Sequence, residues 1–161
     1  MPFTPFHFGP GALLHSLAKS HVSFISFCMA NVLTDIEPLY FMVTGQFPIH
    51  RFCHTYVGAT VVAAATILLF VVARRFSAAF WLPNILNWKG LNIRQVAIGA
   101  ALGTYTHIVL DSIMHSDVRP YFPFSSANQL YGAIDLPMLH LLCFGAALLG
   151  VLGVAIRHLS R

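Results

Sequence analysis

At 161 residues the chain has room for one domain, residues 1–161, and its 57% hydrophobic content with only 9% charged residues is far from the soluble balance of roughly a quarter charged. That composition predicts an all-α, polytopic membrane bundle and excludes an ordinary water-soluble fold. The net charge of +4, nine Lys and Arg against five acids, is too thinly spread for a nucleic-acid surface, so no nucleic-acid partner is expected. Cys28, Cys53 and Cys143 lack C-x-x-C spacing and sit among apolar residues, which makes them packing residues.

In chain order, residues 1–10 are rich in Pro and Phe, contain His7, and end in a Gly-Pro-Gly turn signal that should open a helix near Ala12. No basic n-region with a following apolar core and cleavage site is present, so no removable signal peptide is expected. Residues 12–34 are interrupted by Lys19, Ser20 and His21, leaving two apolar pieces of about 18 Å each at the helical rise, too short for a hydrocarbon core of ~30 Å. A short helical hairpin turning near Lys19 to Val22 is therefore predicted. It would return Asp35 to the end of the bundle that holds His7.

Pro38 predicts a helix stop after Asp35-Ile36-Glu37, followed by a loop over 39–49. His50 and His54 then stand four apart, directly before an apolar span over 55–73 that ends in Arg74 and Arg75. Residues 76–92, with Trp81, Pro83 and Trp88, read as an interfacial connector. Residues 93–114 form the second span, and a third begins at an expected Asp135 N-cap with Pro137 in its first turn and runs through Ile156. Arg74, Arg75, Lys89 and Arg94 share one loop and Arg157 and Arg161 the tail, so the positive-inside tendency puts that end in the cytoplasm and His50, His54 and the end of the second span on the other face of the cell membrane.

The second span carries the most informative spacing. His107 and Asp111 lie four apart, one turn along one helix face, and His115 continues that line. Burying imidazole and carboxylate in an apolar segment is costly unless something compensates, and a metal ion does so. Imidazole with carboxylate and no thiolate suits zinc, or less specifically manganese or iron. The metal-ligand candidates are His7, Asp35, His50, His54, His107 and Asp111, with His115, Asp117 and Glu37 as further ligands or as groups that orient an imidazole. Asp35 and Asp111 are the candidate catalytic carboxylates, and Arg119 is a candidate to hold an anionic oxygen bidentately. Taken singly, each has a plainer reading: His107 with Asp111 as a self-satisfying pair, His50 and His54 in the headgroup zone, Asp35 and Glu37 at a solvated helix end. The joint pattern is what favours metal.

His7 before a helix, Val32-Leu33-Thr34-Asp35-Ile36-Glu37, His50-Arg51-x-x-His54-Thr55, and Gly103-x-x-x-His107-x-x-x-Asp111 leading to Arg119-Pro120-x-x-Pro123-Phe124-Ser125 together resemble the motif series of the membrane-bound metal-dependent hydrolases of the YdjM type. The resemblance covers most of residues 1–126. That family is in turn similar to zinc-dependent phospholipase C and its related nucleases, so the resemblance implies metal-dependent hydrolysis in a membrane, with His7, Asp35, His50, His54, His107 and Asp111 at the matching positions. The family usually has Pro-Asp-Ile-Asp where this chain has Thr34-Asp35-Ile36-Glu37. The function expected is hydrolysis of a phosphoester, a small molecule or a membrane lipid, with a water activated by the ion. The alternatives are a non-catalytic metal carrier or sensor, and a structural membrane protein whose polar residues merely pair.

Overall fold

The computed structural model describes residues 5–77, 79 and 81–160 and is helical, with no strand among them. Six α-helices follow in order: α1 (Phe8–Leu17), α2 (Phe24–Thr34), α3 (Ile36–Val43), α4 (Tyr56–Phe76), α5 (Ile93–Met114) and α6 (Leu136–Leu159). α4, α5 and α6 are long and apolar enough to cross a membrane. At the helical rise they extend roughly 32–36 Å, whereas α1 and α2 reach only about half that depth.

The expected hairpin forms. α1 ends at Leu17, and α2 starts after Ser23, whose hydroxyl accepts the Ser26 amide at 3.2 Å as an N-cap. The intervening turn is braced from another element: Gln95 Nε2 donates to the Ser20 carbonyl at 2.8 Å, and the Ser23 amide to the Gln95 carbonyl at 3.1 Å. Gln95 also closes a capping box with Asn92 at the start of α5. One residue thus begins a span and fixes the hairpin against it.

α3 covers residues 36–43, of which 39–43 are expected from the sequence to lie in a loop. Pro38 does interrupt the chain, because without an N–H it cannot satisfy the Thr34 carbonyl, and α2 stops there with Asp35 as its C-cap. Pro38 is, however, tolerated in the first turn of the next helix, and the Leu39 amide already donates to the Asp35 carbonyl at 3.1 Å. Asp35 therefore sits at a break between two helices, and its side chain makes no capping hydrogen bond in α3. Asp135 occupies the expected N-cap position of α6, with Pro137 just inside, but its carboxylate makes no capping hydrogen bond.

Close backbone approach positions the site. Gly99 and Gly103 on α5 face the carbonyls of Ser23, the N-cap of α2, and of Phe27 within it, and a Cβ at Gly103 would stand 2.6 Å from the Phe27 oxygen. Ala30, Ala63 and Ala100 bring α2, α4 and α5 together just below. Small residues let helices pack this tightly where lipid offers no hydrophobic drive for association. α6 lies along α1, with Gly9 against the Cys143 carbonyl and Gly150 against Ala12, and it presents Leu141, Val151 and Ile156 outward.

Candidate metal centre

The end of the bundle where α2 stops, α4 starts and α5 finishes collects the predicted polar side chains. Asp35 comes from the α2–α3 break, His107 and Asp111 from the last two turns of α5, and His54 from the 3₁₀ turn Phe52–His54 that precedes α4. His54 and His107 are fully buried, and Asp35 and Asp111 nearly so. One ligand atom from each of these four residues lies within 4.8 Å of all the others. His50, Asp111 and His115 form a second group to the same limit, so Asp111 belongs to both.

The distances suit an ion better than a set of hydrogen bonds. Two ligands roughly 2.0–2.2 Å from a tetrahedral ion lie roughly 3.3–3.6 Å from each other. Here His107 Nε2 stands 3.3 Å from His54 Nε2, 3.3 Å from Asp35 Oδ1 and 3.3 Å from Asp111 Oδ2. His54 Nε2 is 3.1 Å from Asp111 Oδ2 and 3.9 Å from Asp35 Oδ1. Two imidazole nitrogens facing each other inside an apolar bundle are poorly served by hydrogen bonding alone, since at most one donates to the other.

The groups behind the ligands fix which nitrogen faces inward. Asn31 Nδ2 donates to the Phe27 carbonyl at 2.9 Å, which turns Asn31 Oδ1 toward His107. His107 Nδ1–H donates to that oxygen at 2.9 Å, which turns Nε2 into the cluster. His50 is set the same way: its Nδ1–H donates to Asp117 Oδ1 at 2.8 Å, and its Nε2 lies 3.9 Å from Asp111 Oδ2. Asp117 Oδ2 also accepts the amides of Ile49 and His50, each at 3.2 Å, tying the segment before α4 to the segment after α5. Burial works to raise the Asp117 carboxyl, but the His50 ring and amide hold it below the ordinary carboxylate range.

Burial pushes the His54 imidazole down to about 4 despite the opposing pull of Asp111, so near neutral pH it is uncharged and able to offer a lone pair. His115 is likewise lowered, by burial first. Burial, and then the neighbouring Glu37, push the Cys53 thiol up to about 11, and Cys53 is in neither group of candidate ligands.

The candidates read from the sequence divide cleanly by position. His7 reaches the cluster through the other oxygen of Asp111, Nε2 to Oδ1 at 3.0 Å, with its ring stacked on His107 at 4.4 Å. His115 is not on the α5 line, because α5 ends at Met114 and His115 takes an extended conformation; it stacks on His50 at 4.5 Å instead. Glu37 Oε2 accepts the Cys53 amide at 2.8 Å and so holds the turn that carries His54. Arg119 is exposed and its guanidinium makes no ion pair or side-chain hydrogen bond with the described residues. Asn31 was not among the candidates. Its signal is its position four residues before Asp35 on α2, the spacing that also relates His107 to Asp111.

A buried His/Asp group that could hold a divalent ion is thus present. Comparison with protein-family profiles, curated proteins and solved structures finds no match to this chain.

Proposed function

We propose that the protein is a membrane-embedded, metal-dependent hydrolase of phosphoesters. The observation that carries the proposal is the position of Asp111 in both ligand groups, an arrangement suited to two divalent ions that share one carboxylate. Asp35, His54, His107 and Asp111 would hold one ion, and His50, Asp111 and His115 the other. Their donor set favours zinc, with manganese or iron as alternatives. Bound ions would supply charge stabilisation on a phosphoryl oxygen and a water acidic enough to react near neutral pH.

The chain's own residues hold and orient that centre. Asn31 and Asp117 orient the rings of His107 and His50 with Nε2 inward, His7 lies against the outer oxygen of Asp111, and the apolar packing of α2, α4 and α5 keeps bulk water from the buried group. Arg119, exposed just past His115, is the cation proposed to take an anionic substrate oxygen. A site at the ends of three apolar helices would open at headgroup depth, which favours a lipid phosphoester over a freely diffusing one. The clustering of Arg and Lys at the opposite end supports a non-cytoplasmic location for the site in the cell membrane. The motif resemblance to the YdjM-type hydrolases supports the same reading.

The test is hydrolysis by the detergent-purified protein of a panel containing a phosphomonoester, a phosphodiester and phospholipid vesicles, after chelation and after zinc addition. Turnover that returns with zinc and is absent in Asp111→Ala is expected. Full metal content without turnover on the panel, together with zinc flux into liposomes, would assign a carrier instead.

A further inference from the structure

The end of the bundle opposite the metal centre has an unexplained cleft. It is open, about 620 Å³ in volume, and lined by Leu17, Lys19, Ser20, Gln95 and Arg157. These residues come from three parts of the chain: the end of α1 with its following turn, the first turn of α5, and the last turn of α6. The floor is preformed. Gln95 Nε2 donates to the Ser20 carbonyl, the Asn92 amide donates to Gln95 Oε1 at 2.9 Å, and Arg157 Nη2 donates to the Leu17 carbonyl at 3.4 Å, which docks the end of α6 on the end of α1.

Charge at this end is one-sided. Lys19, Arg74, Arg75, Lys89, Arg94 and Arg157 all lie here, while the chain's five acids, Asp35, Glu37, Asp111, Asp117 and Asp135, all lie toward the other. Lys19 and Arg157 accordingly have no ion-pair partner among the described residues. Two cations in a braced cleft, one offering a planar fork of N–H donors and the other a point charge, match a phosphate. Apolar surface adjoins the cleft: Leu17, one of its lining residues, is 69% exposed, and Ile156 (65%) and Leu152 (56%) are exposed on α6 in the turns that lead to Arg157. A free phosphate ion has no use for that face, whereas the acyl chains of a lipid would lie along it.

We propose that this cleft binds the phosphate headgroup of an anionic phospholipid, held by Lys19 and Arg157, with its acyl chains running down α6. Basic recesses between membrane helices take anionic headgroups in this way. The site is at the far end of α5 from Asp111, so the inference stands or falls separately from the hydrolase reading.

Native mass spectrometry of the detergent-solubilised full chain, with phosphatidylglycerol and phosphatidylcholine of identical acyl chains added in competition, tests it. The wild type should retain phosphatidylglycerol roughly tenfold or more over phosphatidylcholine, and Lys19→Gln/Arg157→Gln should bring the ratio near parity. Arg157→Lys, which keeps the charge, should hold an intermediate ratio and guards against a fold defect in the double variant. Arg75→Gln/Lys89→Gln removes as many charges outside the cleft and should leave the preference intact. Equal retention of the two lipids, an equal loss in the outside variant, or displacement of bound lipid by millimolar inorganic phosphate would each overturn the assignment.

Discussion

His107 Nε2 and His54 Nε2 face each other across 3.3 Å, although 53 positions separate them in the chain. Each is also within 3.3 Å of Asp111 Oδ2. Asn31 Oδ1 takes the His107 Nδ1–H, so the two Nε2 atoms face each other with at most one proton donated between them, or with a cation between the rings. Placing three or four such groups in an apolar bundle is costly without a cation, and removing one of them after the cation is lost leaves the rest uncompensated.

Asn31→Leu should weaken zinc binding by about 10- to 100-fold, the usual effect of deleting a group that orients a ligating imidazole. Asn31→Asp keeps an acceptor opposite His107 Nδ1 and should recover most of the affinity. Competition against a chromogenic chelator reads both; equal affinities in Asn31→Leu and the wild type would refute the orienting role.

Asp117→Ala should act on one ligand group only. It frees the His50 ring and the amides of Ile49 and His50, yet touches neither Asp35 nor His107. The bound-metal ratio is expected to fall by one ion per chain while the more tightly held ion stays, as read by stoichiometric zinc titration. Loss of all metal would mean that the two groups are not separate sites.

Gly103→Leu should destabilise the fold and weaken the centre together. A side chain there meets the Phe27 carbonyl and forces α2 from α5, at a cost of about 1–3 kcal/mol for overpacking. The same displacement carries Asn31 and Asp35 away from His107. A lower melting temperature in detergent with unchanged zinc affinity would show that α2–α5 spacing does not set the site.

Chelation should lower the melting temperature of the wild type, since an ion present at 100 times its Kd stabilises the native state by about 2.7 kcal/mol. His107→Ala should begin with a lower melting temperature and respond little to the chelator. Differential scanning in a mild detergent gives both numbers, and an identical chelator response in the two proteins would contradict metal stabilisation through His107.

Much of this arrangement was legible in the sequence because membrane segments limit the options. Lys19-Ser20-His21 in an apolar run forces a hairpin, and the i,i+4 spacing of His107 and Asp111 gives a shared helix face. Other features depend on where a helix ends, which spacing alone does not encode. His115 continues the numerical pattern of α5, but the helix stops one residue earlier and the ring turns to His50. Pro38 stops α2 as expected and still starts α3, since its missing N–H costs nothing in a first turn. Asn31 escaped notice because a lone amide in an apolar helix has many structural uses, and only the opposing ring of His107 shows which one applies. The charge asymmetry behind the expected orientation also leaves Lys19 and Arg157 without acidic partners among the described residues, a consequence visible only once the ends of α1 and α6 are seen to meet.

The most direct measurement is elemental analysis of the detergent-purified wild type beside His107→Ala. The account predicts at least one tightly held divalent ion per wild-type chain, zinc foremost, and almost none in the variant. A wild-type protein that binds no divalent ion even after zinc is supplied, or a His107→Ala protein that keeps its full complement, would contradict it.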